Sequence, residues 1–187
     1  MSIGSVSIIV PIFNEEESIK ELYGELKKVL SETGKTFGIL LVDDCSTDSS
    51  ESIIKEIARN DQNVRGIRLS ENSKKAGALE RGFKEAKEDV IITIDADLQD
   101  DPSEIPRMIN EIENGADMVS GWKKPRSDSW LKCISSSLMN LFASVLLWHR
   151  FYDMNSGFKA YKAKIAKQLS LQRYISIHSS HACCAGI

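Results

Sequence analysis

Cysteine is scarce in this chain, and what there is cannot staple it. Four cysteines in 187 residues, with Cys183 and Cys184 adjacent near the end, do not make a disulfide framework, so a reducing compartment is expected. An excess of basic charge is also missing. With 24 Lys and Arg against 27 Asp and Glu, the net charge is −3, which gives no ground for a nucleic-acid partner. Long apolar runs are absent too. The longest, residues 138–148, is interrupted by Asn140 and Ser144 and is too short to span a bilayer, so the chain as given is expected to be soluble. No basic leader precedes the first strand-like run, and no signal peptide is expected. No G-x-G-x-x-G follows that run, which disfavours a dinucleotide-binding dehydrogenase.

What is present is the composition of an ordinary globular domain, 42% hydrophobic and 27% charged, in a length that suits one core. Strand-length apolar runs alternate with helix-period segments. Residues 6–12 (VSIIVPI) read as a buried strand. Residues 15–30 follow as a helix, with Ile19, Leu22, Tyr23, Leu26 and Leu30 on one face and Asn14 as its N-cap. Strands are expected at 38–42, 64–69, 90–94 and 117–120, with helices at 49–58 and 76–86. Asp101-Pro102 has the form of an N-cap followed by Pro at the first helical position, opening a helix through Ile112. This order implies an α/β layer structure with a mostly parallel central sheet. In such sheets ligands sit beyond the carboxyl ends of the strands. Asn14-Glu15, Asp43-Asp44 and Asp95-Ala96-Asp97 all fall at those ends.

Each polar segment has a chemical reading and a plainer one. Asp95 and Asp97 project to the same side after a buried strand. Two carboxylates so close repel unless a cation sits between them, and a hard divalent ion with oxygen ligands is the natural occupant. The plainer reading is a solvated acidic turn with Asp101 as a helix cap. Asp43 or Asp44 could accept hydrogen bonds from a ribose or base, or the pair could cap the helix that follows. Lys75 and the cluster Lys123 to Arg126 supply the cations that a diphosphate needs.

Taken together these segments resemble the family 2 glycosyltransferases, closest to the branch that makes polyprenyl- or dolichyl-phosphate sugars. The resemblance rests on five motifs in order: VPIFNE at 10–15, VDDCSTD at 42–48, NSKKAGAL at 72–79, DADLQDDP at 95–102 and DMNSGFKAY at 153–161. It implies the GT-A fold over residues 1–169, a mostly parallel central sheet flanked by helices, followed by an atypical tail at 170–187. It further implies that Pro11, Phe13, Asn14, Glu15, Val42 and Asp44 surround the nucleoside, with Ala96 against the nucleotide. Asp95, Asp97 and Gln99 would hold Mg²⁺ or Mn²⁺, and Lys75, Lys123 and Arg126 would face phosphates. Asp95, Asp97 and Arg126 form the implied catalytic set. Two departures stand out. Cys45 occupies a position usually held by Gly, and Ser73-Lys74 replaces the usual aromatic-Gly pair before Lys75.

The acceptor implied by the resemblance is an undecaprenyl or dolichyl phosphate, reached from the cytoplasmic face of a membrane. Leu131, Ile134, Leu138, Leu141, Val145 and Trp148 recur at helical spacing between Trp130 and Trp148. That stripe suits a helix lying in a membrane interface, or one that covers the sheet. A phosphomonoester is largely ionised at neutral pH, with a second pKa of about 6, and needs no general base. No carboxylate motif follows Asp153, which fits such an acceptor. Residues 174–187 show no helical or strand pattern. His178, His181, Cys183 and Cys184 there match no usual zinc spacing, and a tail foreign to the domain is the preferred reading. The expected activity is an inverting, metal-dependent transfer from a nucleotide-diphospho-sugar. The alternatives are a family 2 enzyme acting on a saccharide hydroxyl, and a truncated domain that binds donor without turnover.

Overall fold

The computed structural model describes residues 3–121, 157–171 and 184–186. Its first half is a run of parallel pairings. Strand β1 (Ser5–Ile12) lies between β2 (Thr36–Asp43) and β4 (Val90–Thr93), and β3 (Val64–Arg68) adds to the far side of β2, all parallel. Beyond β4 the sheet changes direction. Strand β6 (Lys159–Lys162) is antiparallel to both β4 and β5 (Met118–Ser120), and β7 (Cys184–Gly186) pairs parallel with β5. The order across the sheet is β3-β2-β1-β4-β6-β5-β7. The α/β, mostly parallel expectation therefore holds.

Helices α1 (Ile19–Glu32), α2 (Ser50–Asn60), α3 (Lys74–Glu85), α4 (Ile105–Glu113) and α5 (Ala163–Leu171) cover the two faces. Alternation along the strands decides which face each side chain serves. Ile8, Val10 and Ile12 pack with Leu22, Leu26 and Leu30 of α1, Ile54 of α2 and Met108 of α4. Ile9, Leu40 and Ile91 face the other way, toward Leu79 and Phe83 of α3 and Ala166 of α5. Phe83 meets Tyr161 edge to face, with ring centroids 5.6 Å apart. Gly82 lets α3 lie directly on β1, since a Cβ there would collide with the Ile9 side chain.

The expected elements form with three local differences. Helix α1 begins at Ile19, not at residue 15, and Asn14 is not its N-cap. Asn14 holds a left-handed backbone, φ 56°, and its Oδ1 accepts from the Thr47 N–H at 2.8 Å. Strand β6, which begins in the motif at 153–161 and ends one residue past it, is four residues long with an intermediate-buried-buried-intermediate pattern, too short for periodicity to reveal. Strand β7 forms in a segment without strand patterning, because sheet pairing uses backbone groups that every non-proline residue carries. The Asp101-Pro102 expectation holds: the Asp101 carboxylate accepts from the Ser103 N–H at 2.9 Å, opening a 3₁₀ turn that runs into α4.

The turns leaving the four parallel strands share a feature. Asn14 after β1, Cys45 after β2, Lys74 after β3 and Leu98 after β4 all have positive φ, between 56° and 64°. They are the only non-glycine residues to do so among the described ones. Left-handed backbone costs an L-residue about 1–2 kcal/mol, whereas glycine takes it freely. Cys45 and Lys74 are the two positions where the family pattern has Gly and this chain does not. The structure thus shows left-handed backbone at both of these positions, carried by non-glycine residues.

Two outcomes follow from these contacts. Lys74 is exposed, so Lys74→Gly removes backbone strain and little packing. It is expected to raise unfolding free energy by about 0.5–1 kcal/mol, strain relief less the entropy of glycine; Lys74→Val should lower it, and urea titration would distinguish the two. The second concerns acid. The buried Asp61 carboxylate is held below its usual range by hydrogen bonding to Lys27, opposed by burial and helped by the Asn63 N–H and the Tyr23 hydroxyl. A depressed carboxylate contributes stability above its unfolded value, near 4, that is lost as pH falls through the folded value. Asp61→Asn should therefore lower the melting temperature at neutral pH, with the gap to wild type closing below about pH 4.

Candidate active site

The carboxyl ends of β1 to β4 are tied to one another by their loops. The first two loops interlock through short polar side chains. The Asn14 N–H donates to Ser46 Oγ at 3.0 Å, the Glu15 N–H to Ser50 Oγ at 3.0 Å, and the Ser49 N–H to Glu16 Oε2 at 2.8 Å. Ser49 is the N-cap of α2, and Asp48 just before it accepts from the Ser50 N–H at 2.9 Å. Asp43 and Asp44, the expected cap pair, do other work. Asp43 is buried and accepts from the Ser46 N–H at 2.9 Å and from Arg68 at 2.8 Å. Asp44 is also buried, and its Oδ1 accepts from the Ser73 N–H at 2.7 Å while its carbonyl accepts from Asn72. Asp44 thus joins the β2 loop to the start of α3.

The third link is ionic. Lys75, in the first turn of α3, reaches across to Asp95 just past β4, with Nζ 2.6 Å from Oδ1 and 2.8 Å from Oδ2. No acidic residue lies in that first turn, so nothing on the helix itself offsets the positive charge of its N-terminus beside Lys75. The fourth link reaches the antiparallel half of the sheet, where the Thr93 hydroxyl donates to the Gly157 carbonyl at 2.7 Å.

These links enclose a cleft of about 250 Å³ lined by Pro11, Ile12, Phe13, Glu15, Asp44, Lys75, Ala78, Asp95, Ala96 and Asp97. Eight of these were expected from the sequence as site residues. Phe13 is 48% exposed, the one exposed large hydrophobic side chain among the described residues. Val42 is fully buried beneath the cleft and supports it from the core. Asn14 acts as the loop tie already described. Gln99 contributes its N–H to Asp97 Oδ1 at 3.1 Å and does not line the cleft. Lys123, Arg126, the apolar stripe at 131–148, the cluster of His178, His181 and Cys183, and the first part of the motif at 153–161 lie outside the described residues. Sequence reasoning missed Ile12 and Ala78, whose bland side chains give no signal, and Thr93. A hydroxyl inside the otherwise apolar run 90–94 was the available hint. A second groove, about 300 Å³ between α2 and β3, is a poorer candidate, because its acidic residues Asp43 and Glu51 are both paired with Arg68.

The donor set of the cleft suits a hard divalent cation. The Lys75 ammonium already sits as a cation on both oxygens of Asp95, and Asp97 lines the same space. Among the described residues no three His, Cys, Asp or Glu side chains converge as a self-sufficient cage. An ion held here by one or two carboxylates would need substrate phosphates and water to complete its shell.

Comparison with known proteins agrees with this architecture. The glycosyl transferase family 2 model matches residues 7–186. An undecaprenyl-phosphate 4-deoxy-4-formamido-L-arabinose transferase from Proteus mirabilis is 34% identical over 164 residues, 87% of this chain and 50% of the relative. The enzyme of the same name from Shewanella sediminis is 35% identical over 169 residues, 90% of this chain and 51% of the relative. The chain therefore spans about half the length of these curated relatives. Among solved structures, a mannosyltransferase from Pyrobaculum calidifontis with GDP-Man and Mn²⁺ superposes with a TM-score of 0.65 at 20% identity, over 90% of this chain and 47% of that one. Glucosyl-3-phosphoglycerate synthase from Mycobacterium tuberculosis, with Mn²⁺, UDP and phosphoglyceric acid, gives 0.66 at 19% identity, over 86% and 56%. The fold is that of the GT-A glycosyltransferases, and with a family match over nearly its whole length, this chain belongs to glycosyl transferase family 2.

Proposed function

We propose that this chain is the donor-binding catalytic part of an inverting, metal-dependent transferase. It moves a sugar from a UDP- or GDP-sugar to a polyprenyl phosphate of the undecaprenyl or dolichyl type. The observation that carries the reading is the single cleft in which Asp44, Lys75, Asp95 and Asp97 meet beside an exposed Phe13. Each element has a matching part of a nucleotide-diphospho-sugar. Phe13 offers an aromatic face to the base, and such stacking contributes about 1–3 kcal/mol. Asp44 supplies a carboxylate for the base or ribose. Lys75 leaves Asp95 for the diphosphate, joined there by Lys123 and Arg126, as the family resemblance implies. Asp95 and Asp97 hold Mg²⁺ or Mn²⁺, which when bound stabilises the charge on the departing nucleotide.

The chemistry needs no general base from the chain. An acceptor phosphate oxygen attacks the anomeric carbon as the bond from that carbon to the diphosphate oxygen breaks, and inversion follows from a single displacement. Support for a lipid phosphate comes from relatives named for transfer to undecaprenyl phosphate. No helix among the described residues is long and apolar enough to cross a membrane.

Two variants test the donor half. Asp97→Ala is expected to bring UDP or GDP affinity down to its metal-free level without loss of fold, because the residue is exposed at a strand end. Calorimetric titration with and without Mn²⁺ reads this, and an unaltered Mn²⁺ response would remove the metal assignment. Asp44→Ala should weaken metal-free nucleotide binding about tenfold, the loss of one charge-assisted hydrogen bond of about 1.5 kcal/mol. Turnover of a UDP- or GDP-sugar with a polyprenyl phosphate then tests the acceptor; transfer to a saccharide hydroxyl instead would overturn that half.

A further inference from the structure

Gly157 stands at the start of the chain segment that becomes β6, and its lack of a side chain is not required by its backbone. The glycines with positive φ are Gly34 and Gly115, and Gly157 is not among them. What a side chain at 157 would meet is Asp95. A Cβ built there falls inside contact distance of Oδ1, Oδ2 and Cγ of that carboxylate, its three nearest neighbours. The same carboxylate is held by the Lys75 ammonium. Asp95 is therefore set between a cation and a bare backbone.

The backbone at 157 has little freedom to move away. Its carbonyl accepts from the buried Thr93 hydroxyl at 2.7 Å. The next residue, Phe158, is buried in the same core cluster as Ile92, Ile94 and Ala96, and its carbonyl accepts from the Gly121 N–H at 2.8 Å. Lys159 is then paired with both Thr93 and Ser120 across the sheet. Against these attachments the soft partner is the Asp95 carboxylate, which turns about one or two side-chain bonds.

We infer that Gly157 is a positioning residue for Asp95: it leaves the space in which that carboxylate lies and, through Thr93, fixes the segment that leads into β6 to the metal-side strand. The inference rests on the reading of Asp95 as a metal-binding carboxylate. A methyl group at 157 displaces the carboxylate and leaves the fold in place. Groups that orient metal ligands typically change metal affinity by about 10- to 100-fold when altered, and that is the expected scale.

The test is calorimetric titration of UDP and of GDP, with and without Mn²⁺, on the full chain and on Gly157→Ala, Thr93→Val and Thr93→Ser, each with its thermal melt. Gly157→Ala is expected to lose about 10- to 100-fold in Mn²⁺-dependent affinity, with metal-free affinity unchanged and a melt within a few degrees of wild type. Thr93→Val should lose affinity in the same direction, and Thr93→Ser, which keeps the hydroxyl, should retain it. Unchanged Mn²⁺-dependent affinity in Gly157→Ala overturns the inference, as does an equal loss with and without metal. If Gly157→Ala does not fold, the backbone gives way before the carboxylate, and the inference fails. A wild-type chain whose nucleotide affinity ignores Mn²⁺ removes the metal reading itself, and the wild-type titration alone separates that failure from the others.

Discussion

The site depends on one constraint, the parallel register of β1 with its two neighbours. Ile12 lies opposite Asp43, Asp43 opposite Arg68, and Ile9 opposite Thr93. Because all four strands run the same way, their carboxyl ends finish at one edge, and every residue that leaves a strand there enters the same space. The apolar alternation that buries Ile8, Val10 and Ile12 on one face and Ile9 on the other holds that register, since a slip by one residue would exchange the two sets. The carboxylates are thus brought to one edge by the packing of apolar side chains on the two faces of the sheet.

That convergence carries a cost, and the chain meets it locally. Four residues leave the strands through left-handed backbone, a conformation that persists only where the surroundings over-determine it. The loop hydrogen bonds supply that determination: Asn14 to Thr47, Cys45 Sγ to the Leu69 carbonyl at 3.0 Å, Asp97 to the Gln99 N–H. Carboxylates gathered at one edge also repel. Asp43 is answered by Arg68 and Asp95 by Lys75, one from the neighbouring strand and one from the neighbouring helix. The first pair is half-buried and structural. The second lies in the cleft.

The two halves of the sheet divide the work. The parallel half, β1 to β4, supplies the cleft and its charged residues, while β6 runs against both β4 and β5 and carries the end of the motif at 153–161. Thr93 and Gly157 are where the halves meet. The chain spans about half the length of the curated relatives it matches.

Much of this was legible in the residues. Runs such as VSIIVPI and VIITI are apolar enough to be buried on both faces, and the helical spacing of Ile19, Leu22, Leu26 and Leu30 matches the face that α1 buries. Those patterns determine element type and order, and with them the α/β layering and the strand ends at which to seek a site. Charged pairs at strand ends are equally visible, because burying them without partners is costly. The sequence could not say which charges pair, since Asp43 with Arg68 and Lys75 with Asp95 are separated by 25 and 20 residues. Nor could it separate the roles of Asp43 and Asp44, adjacent and chemically identical, of which one is locked by an arginine and the other lines the cleft. The start of α1, the short strand β6 and the need for Gly at 157 were likewise decided in three dimensions. Local pattern records what each segment buries, but a hydrogen bond between loops, a four-residue strand or the space beside a carboxylate exists only after distant segments have been brought together.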